Sequence, residues 1–262
     1  MAIISLANAK GGCGKTTISI NLAAVLPAAL VDADPQASLA TAGGRSDLHI
    51  VTMPLHEKSQ IPEFMNRIQA LAKEGHVIVD CPPSFTDATH ATMMMADLCI
   101  VPITPSPLDM NAAKIALEHW RQTREWRRGL PEVLLIPNRV DLRTRQGRII
   151  NDLLATMGSR VAPSIGYRMA FVEAATKGIP VTEYDPDGPA AADIHSLAKA
   201  VHDRLEALRQ QQEAGDETGD AGADQWGQSD KTVVALDDHR RSWIHDTRRA
   251  GSGFISRLLS WG

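Results

Sequence analysis

A short glycine-rich segment near the start of the chain carries the residues best suited to chemistry. It reads KGGCGKTT over residues 10–17 and lies between an apolar run and a segment with helical periodicity. Glycines let the backbone turn tightly and point its N–H groups at an anion, and a helix that begins there adds the positive end of its dipole. The segment predicts a phosphate-binding loop formed by Gly11, Gly12, Cys13, Gly14, Lys15, Thr16 and Thr17.

The polar side chains of this loop suit a polyphosphate and a magnesium ion. We expect Lys15 to reach the β- and γ-phosphates, the Thr16 hydroxyl to ligate Mg²⁺, and Thr17 to contact the α-phosphate. The loop departs from the common G-x-x-x-x-G-K-[ST] pattern, because Ala9 replaces the first glycine and an additional lysine occupies position 10. A glycine-rich turn with surface lysines is the alternative, which the flanking strand and helix disfavour.

Three aspartates follow apolar runs further along the chain. Asp80 ends one run, and Asp32 and Asp34 follow another, two residues apart, so their side chains point the same way. A carboxylate at the end of a buried strand faces the phosphate loop and can hold a metal-bound water, which is the role we expect for Asp80. A strand-end cap at Asp80 and turn-forming aspartates before Pro35 are the structural alternatives.

These residues need a scaffold that brings separate strand ends together. Apolar runs without alternation are typical of strands buried on both faces, and they occur at residues 3–7, 28–31, 49–53, 77–79, 98–103, 133–137 and 163–167. Helical patterns lie at residues 16–26, 61–73, 110–127, 145–157, 171–177 and 190–210. The alternation predicts an α/β fold with a mostly parallel twisted sheet, helices on both faces, and ligands at the carboxyl ends of the strands.

The composition changes along the 262 residues. We expect residues 1–210 to form the phosphate-binding domain and residues 211–230, with six acids and no bases, to form a flexible linker. Residues 231–262 reverse the charge, with six bases and three aspartates. This C-terminal tail also predicts a short basic amphipathic helix, because three apolar side chains lie at helical spacing, Phe254, Leu258 and Trp261.

Bulk properties exclude several classes of protein. The formal net charge of −4 excludes a generally basic DNA-coating protein but leaves room for a local basic patch. No apolar run approaches the roughly 18 residues that a membrane span needs, and the first residues do not resemble a signal peptide. Three cysteines without an export signal favour reduced thiols and a cytoplasmic location.

Three segments, in the same order, resemble the ParA/MinD family of P-loop ATPases. The segment KGGCGKTT is similar to the deviant Walker A box, VDADPQASL at residues 31–39 resembles the second box, and VIVDCPPS at residues 77–84 resembles the Walker B strand. The resemblance extends over residues 2–208. It implies an ATPase that uses ATP and Mg²⁺ and forms a homodimer when ATP is bound.

The resemblance also implies roles for single residues. Lys10 is expected to cross the dimer interface and contact the partner's nucleotide, where it acts like an arginine finger. Asp34 is expected to orient or activate the hydrolytic water, and Asp32 to support the metal and its water network. Asn138 is expected to contact the adenine base, whose edge an amide can match. Lys10, Lys15 and Asp34 are thus the expected catalytic residues, and Thr16, Asp32 and Asp80 the expected metal residues.

The partners implied by the resemblance are non-specific DNA and a ParB-like or cargo-adaptor protein that stimulates hydrolysis. Residues 167–191 resemble the family's R-x-x-F-x-E-A…G-x-P-V stretch, and Arg168 and Lys177 are candidate DNA contacts. Further candidates lie along one predicted helix, at Arg121, Arg124, Arg127 and Arg128. Because the chain opens at its first strand, we expect no N-terminal helix-turn-helix domain. The implied function is to position or segregate a plasmid, a chromosome or a protein organelle on the nucleoid.

Two other functions fit part of the pattern. The amphipathic tail suits a membrane surface, as in the MinD branch of the family, but it suits a partner protein or docking onto the domain equally well. A metabolic P-loop enzyme, such as a ligase of the dethiobiotin synthetase kind, is disfavoured by Lys10 and by the VDADPQ segment. Cys13 and Cys81 flank the site, but without a C-x-x-C pair we interpret them as packing residues rather than cluster ligands.

Overall fold

The structure is a computed structural model that describes residues 1–36, 39, 45–127 and 129–219. The C-terminal tail, the last part of the expected linker and Arg128 lie outside the described residues. Residues 1–210 form one compact unit. The division of the chain into domain, linker and tail stays a prediction.

Seven strands of the described residues form one parallel sheet. They are β1 (Ile3–Leu6), β2 (Ala28–Asp32), β3 (Ile50–Thr52), β4 (His76–Asp80), β5 (Leu98–Ile103), β6 (Glu132–Pro137) and β7 (Arg160–Val161). Their order across the sheet is β3-β2-β4-β1-β5-β6-β7, and each neighbouring pair is parallel. The predicted α/β fold with a parallel sheet is confirmed.

Helices connect the strands, because parallel neighbours require crossover connections. They are α1 (Lys15–Val25), α2 (Ile61–Glu74), α3 (Asp87–Met93), α4 (Pro107–Trp126), α5 (Arg145–Ala155), α6 (Met169–Lys177), α7 (Val181–Tyr184) and α8 (Pro189–Gly219). A 3₁₀ turn at Lys58–Gln60 precedes α2. Of the helices in the described ranges, none combines the length and apolarity needed to cross a bilayer.

Both faces of the sheet are covered by helices. On β4, Val77 and Val79 face a core that includes residues of α2, α3, α4 and α5, whereas Ile78 faces a second core built with α1 and α8. All three side chains are fully buried. This two-sided burial explains why the strands appear in the sequence as continuous apolar runs instead of alternating patterns.

The carboxyl ends of the central strands meet at one edge of the sheet. In the register of the sheet, Asp80 at the end of β4 pairs with Leu6 of β1 on one side and with Asp32 of β2 on the other. The segment that follows β1 leads directly into α1. The topology therefore brings the glycine-rich loop, Asp32 and Asp80 to one place, as the sequence predicts for a ligand site in a parallel sheet.

The position of the last strand differs from the prediction. β7 is Arg160–Val161. The expected range, residues 163–167, forms no regular strand and contacts its neighbours through an isolated bridge between Gly166 and Val140 and a hydrogen bond from the Ile165 N–H to the Pro137 carbonyl. The reason is Pro163, which has no N–H to donate to a β-ladder and ends the strand early.

Two helical segments also differ from the prediction. α3 was not predicted, because its threonine- and alanine-rich sequence lacks a clear amphipathic period. α8 continues to Gly219 and so extends into the segment expected to be a flexible linker. Glutamine, glutamate and alanine follow residue 210, and these residues favour helix even where they bury little surface.

Candidate functional site

The glycine-rich loop has the backbone geometry of an anion cradle. Gly12 and Gly14 adopt positive φ angles of 76° and 97°, and Gly14 is the N-cap of α1. A side chain at Gly14 would collide with the Asn138 amide. Helix α1 begins without a side-chain cap and without an acidic residue in its first turn. Its first N–H groups are therefore available to an anion at the positive end of the helix dipole.

The Lys15 side chain lies within the loop and is only 6% exposed. Its Nζ donates to the backbone carbonyl of Lys10 at 3.3 Å and, at 3.5 Å, to that of Asn8. Both contacts are to backbone carbonyls, so in the described part of the chain no carboxylate forms an ion pair with this ammonium group. The geometry therefore fits the expected role of Lys15 toward a phosphate.

Asp80 lies beneath the loop, where two hydroxyl groups hold its carboxylate. Thr16 Oγ1 donates to Oδ2 at 2.7 Å and Ser19 Oγ donates to Oδ1 at 3.2 Å. Burial, reinforced by the nearby charge of Asp32, raises the pKa of Asp80 to about 7 even though the Thr16 hydrogen bond and Lys15 lower it. A hydroxyl and a carboxylate are the hard oxygen ligands that Mg²⁺ prefers. Thr16 and Asp80 therefore fit a magnesium ion beside the loop.

Asp32 is fully buried, and both of its carboxylate oxygens accept backbone N–H groups. Oδ1 accepts from Asp34 at 3.1 Å and Oδ2 accepts from Leu39 at 3.0 Å. Burial raises its pKa, which these two hydrogen bonds oppose. In this structure Asp32 stabilises the chain that follows β2, and its expected contribution to the metal network stays a prediction.

Asp34 is half-buried at the start of the same turn. Its Oδ1 accepts the backbone N–H of Gln36 at 2.9 Å, a local hydrogen bond typical of aspartate in turns. The sequence reasoning named this turn as an alternative role, and the structure places Asp34 in it. Its expected action on the hydrolytic water stays a prediction.

Lys10 makes an intramolecular ion pair. Its Nζ contacts Asp109, whose side chain is 3% exposed, whereas the Lys10 side chain is 40% exposed. Burial alone would raise the pKa of Asp109, but hydrogen bonds from Lys10 and Thr104 outweigh burial and lower it. In the single chain, Lys10 is therefore held at the mouth of the loop by its own subunit, and its expected contact across a dimer stays a prediction.

Asn138 joins the end of β6 to the phosphate loop. It is 5% exposed, its Nδ2 donates to the Cys13 carbonyl at 2.7 Å, and its Oδ1 accepts the N–H of Arg139 at 2.9 Å. Arg139 has a φ of 54°, in the left-handed region that few non-glycine residues adopt. Asn138 thus supports the loop, a role that the sequence reasoning missed, and its expected contact with the adenine base stays a prediction.

The residues proposed from the sequence as DNA contacts differ in their exposure and in the contacts that their side chains already make. Arg168 makes a two-point ion pair with Asp193, at 2.6 and 3.1 Å, which occupies much of its guanidinium. Lys177 is exposed and lies 4.5 Å from the centre of the Tyr184 ring. Of the arginines on α4, Arg121 and Arg124 are exposed.

A fourth candidate, Arg127, is partly buried and donates to the carbonyls of Met93 and Ala96. These contacts fix Arg127 to the domain, so it is the least available of the described arginines on this part of the chain. Of the described candidates, Lys177, Arg121 and Arg124 are therefore the exposed ones, although Arg121 pairs with Glu118 and Arg124 lies over the Trp120 ring.

The cysteines agree with a packing role. Cys13, Cys81 and Cys99 are buried free thiols, and burial raises the pKa of each. Within the described ranges, no group of three or more histidine, cysteine or acidic side chains lies close enough to hold a metal ion.

Sequence reasoning missed three contacts that shape the site, those of Asn8, Ser19 and Asp109. Asn8 is buried, donates to the Pro102 carbonyl at 2.7 Å and accepts the Lys10 N–H at 3.2 Å. A signal for Asp109 was present, because Ser106 caps α4 and accepts the N–H of Asp109, three residues later. That pattern predicts a helix start but not the ion pair with Lys10.

Comparisons with known proteins agree with this geometry. A sequence model of the CobQ/CobB/MinD/ParA nucleotide-binding domain matches residues 4–181. The maintenance of carboxysome distribution protein A of Halothiobacillus neapolitanus is 33% identical over 205 residues, which cover 72% of this chain and 91% of that protein. The chromosome-partitioning ATPase Soj of Treponema pallidum is 24% identical over 241 residues, which cover 74% of this chain and 94% of Soj.

Solved structures show the same fold. An ATP complex of Cyanothece McdA superposes with a TM-score of 0.63 at 19% identity and covers 77% of this chain and 96% of that one. The septum site-determining protein MinD of Pyrococcus horikoshii, solved with Mg-ADP, superposes with a TM-score of 0.63 at 19% identity. That match covers 79% of this chain and 98% of MinD.

Proposed function

The chain belongs to the CobQ/CobB/MinD/ParA nucleotide-binding family, and from this premise we propose that it is a ParA-type ATPase that positions a cargo. The proposed reaction is hydrolysis of ATP to ADP and phosphate. One observation carries the proposal: a single loop holds Lys15 inside its cradle and a partly exposed Lys10, and its Thr16 hydroxyl bonds to Asp80. In this arrangement Lys15 supplies positive charge to the triphosphate bound by its own loop, and Lys10 is left to reach the triphosphate of a second subunit.

The residues in and around the loop have different roles in hydrolysis. The backbone N–H groups at the start of α1 and the Lys15 ammonium bind and orient the phosphates, which lowers the entropic cost of reaching the reactive geometry. Thr16 and Asp80 are the residues that would hold Mg²⁺, and the bound ion would supply the charge that neutralises the phosphates. Asp34 orients the attacking water, and for this it exchanges its local bond with Gln36 for the water.

Lys10 links ATP binding to the formation of a dimer. The residue is 40% exposed at the mouth of the loop, so it can leave Asp109 and reach the triphosphate of a second subunit. Positive charge supplied in this way stabilises the transferring phosphoryl group. ATP then joins two copies of the chain, and hydrolysis separates them.

We propose that the ATP-bound dimer binds DNA without sequence preference and that an adaptor protein on the cargo stimulates hydrolysis. Exposed basic groups such as Lys177, Arg121 and Arg124 supply contacts to the DNA phosphates. The protein then acts in the cytoplasm on the nucleoid. The cargo we favour is a protein organelle of the carboxysome kind, because the 33% identical relative is named for carboxysome distribution.

DNA retention tests the proposal directly. The full chain is passed over immobilised non-specific DNA with ATP, ADP or no nucleotide, at low and high salt. We expect retention only with ATP, loss at high salt, and persistent retention of an Asp34→Ala variant that cannot hydrolyse ATP. Retention that does not depend on the nucleotide would contradict the proposal, as would an Asp34→Ala variant with unchanged turnover.

A MinD-like role at a membrane is the second candidate, favoured by the helical spacing of Phe254, Leu258 and Trp261 in the C-terminal tail. Liposome flotation with ATP separates the two functions. Binding that disappears when residues 252–262 are deleted supports the membrane role. The absence of any flotation removes it.

A further inference from the structure

Two histidines outside the nucleotide site face each other across the contact between α3 and α4. His90 lies on α3 and His119 on α4, and both are half-buried. His90 Nε2 and His119 Nδ1 are 3.3 Å apart. In the described part of the chain, neither imidazole has another hydrogen-bond partner. Nothing in the proposed ATPase cycle uses this pair.

The aromatic ring of Phe85 packs against both histidines. Phe85 stacks on His119 with 4.2 Å between the ring centres and an angle of 22° between the planes. His90 lies at the edge of the same cluster, with its ring centre 6.0 Å from that of Phe85. Stacking on one face limits the rotation of His119. Its nitrogen is therefore already directed at the partner imidazole before any ligand arrives.

Both imidazoles are in the chemical state that binds metal ions. Burial lowers the pKa of His90, and the neighbouring His119 lowers it further. Burial also lowers the pKa of His119. Each ring is therefore neutral near neutral pH. In this structure one of the two facing nitrogens donates to the other, so an ion can bind both only after that proton moves to the outward nitrogen of the same ring.

The charged groups around the pair leave its nitrogens free. Asp87 precedes His90 on α3 and lies 3.8 Å from Lys58, and Glu118 beside His119 lies 3.6 Å from Arg121. Asp87 and Glu118 favour the protonated imidazoles, whereas Lys58 opposes protonation of His90. These carboxylates have their own cationic partners, so an ion at the pair has to displace only the hydrogen bond between the two imidazoles.

The separation of the two nitrogens matches the coordination geometry of zinc. At the usual zinc–nitrogen distance of about 2.0–2.1 Å, two nitrogens 3.3 Å apart subtend an angle of about 107° at the ion, close to tetrahedral. We propose that His90 and His119 form a two-imidazole site for a divalent transition-metal ion of the zinc class. Water or a partner's side chain fills the remaining positions, so the ion binds reversibly.

The location gives the site a structural consequence. α3 follows the segment that leaves Asp80, and Thr89 of α3 donates to the Ser84 carbonyl in that segment at 3.0 Å. Asp109, in the first turn of α4, forms the ion pair with Lys10. An ion bound between His90 and His119 joins these two helices and fixes their spacing.

Zinc titration of the full chain, without an affinity tag and without nucleotide, tests the proposal. Excess Mg²⁺ occupies the hard oxygen sites, and a chromophoric zinc indicator reports free zinc. We expect His90→Ala and His119→Ala each to weaken one zinc site by a factor on the order of 10², because two linked ligands bind far better than one. His195→Ala, which removes an exposed histidine on α8, is the matched control and should bind zinc like the unaltered chain.

The comparison of variants also controls for the tail. His239 and His245 are present in every variant, so zinc bound there does not change between them. Unaltered zinc binding in either His90→Ala or His119→Ala would overturn the proposal, because a two-imidazole site requires both rings. Since nucleotide is absent, this outcome is independent of whether the chain is an ATPase.

A measurement on the unaltered chain covers the case in which a variant fails to fold. Co²⁺ is a paramagnetic substitute for zinc, and it broadens the NMR signals of nearby imidazoles. We expect His90 and His119 to broaden together at the lowest Co²⁺ concentrations. Broadening confined to other histidines would overturn the proposal.

Discussion

The hydrogen bond between Asn138 and the Cys13 carbonyl gives a prediction that separates two roles of one residue. Asn138→Ala removes a 2.7 Å bond to a buried loop carbonyl and leaves that carbonyl without its donor. An unsatisfied buried group of this kind costs roughly 1–3 kcal/mol. The melting temperature of the free protein should therefore fall by roughly 2–12 °C, at about 2–4 °C per kcal/mol for a domain of this size.

The same change should weaken the binding of phosphates. If all of the lost energy appears in the affinity of the loop instead of in the stability of the free protein, ATP binds about 5- to 150-fold more weakly. A residue that supports the loop acts on the phosphates, so inorganic tripolyphosphate should lose affinity by the same factor as ATP. A residue that only contacts adenine would weaken ATP and leave tripolyphosphate unchanged.

Calorimetric titration of the Asn138→Ala variant with ATP and with tripolyphosphate decides between these roles. Asn151→Ala is the matched control, since the exposed Asn151 side chain has, within the residues that the structure describes, only a surface hydrogen bond from Ser164. Unaltered melting temperature together with unaltered tripolyphosphate affinity would refute the reasoning that Asn138 supports the loop.

Three further predictions follow from other contacts. Thr16→Ala removes the hydroxyl bonded to Asp80 and should reduce Mg²⁺-dependent ATP turnover about a hundredfold or more. Unchanged turnover would show that this hydroxyl does not ligate the metal. Burial raises the pKa of Asp80 to about 7, above the value of about 4 for an unfolded chain, so the folded protein binds the additional proton between these pH values. The free energy of unfolding should therefore fall as the pH rises from about 4 to about 7 in metal-free, nucleotide-free protein. Thermal melts of the Asp80→Asn variant should show a weaker pH dependence. An equal dependence in the variant would contradict the raised pKa of Asp80. Arg168→Ala breaks a two-point pair with Asp193 and should lower stability by roughly 1–3 kcal/mol, whereas Lys177→Ala should leave melting unchanged and weaken DNA retention. If Arg168→Ala also melts like the unaltered chain, the arginine is free for DNA.

The parts of the site that the sequence could predict are those encoded by neighbouring residues. The glycine-rich loop, Lys15 and Thr16 lie within one segment, and the end of an apolar strand marks Asp80. A parallel sheet brings such strand ends to one edge, so the meeting of Asp80 with Thr16 follows from the fold class. The order of the strands did not follow from the sequence, because the apolar runs specify burial and not neighbours.

The contacts that could not be predicted join residues far apart in the chain. Asn138 meets Cys13 across 125 positions, and Lys10 meets Asp109 across 99. Nothing in the sequence around Lys10 or around Asp109 indicates that these two residues form an ion pair. The end of β7 was open to prediction, because Pro163 marks it, but the apolar residues after Pro163 outweighed that signal in our interpretation.

The central claim is that ATP joins two copies of this chain through Lys10, and sedimentation velocity measures it most directly. In an Asp34→Ala background, which preserves bound ATP, the chain should sediment as a dimer with ATP and as a monomer with ADP. Adding Lys10→Ala should return the ATP sample to a monomer. A single mass with either nucleotide, or a dimer that persists without Lys10, would contradict the account.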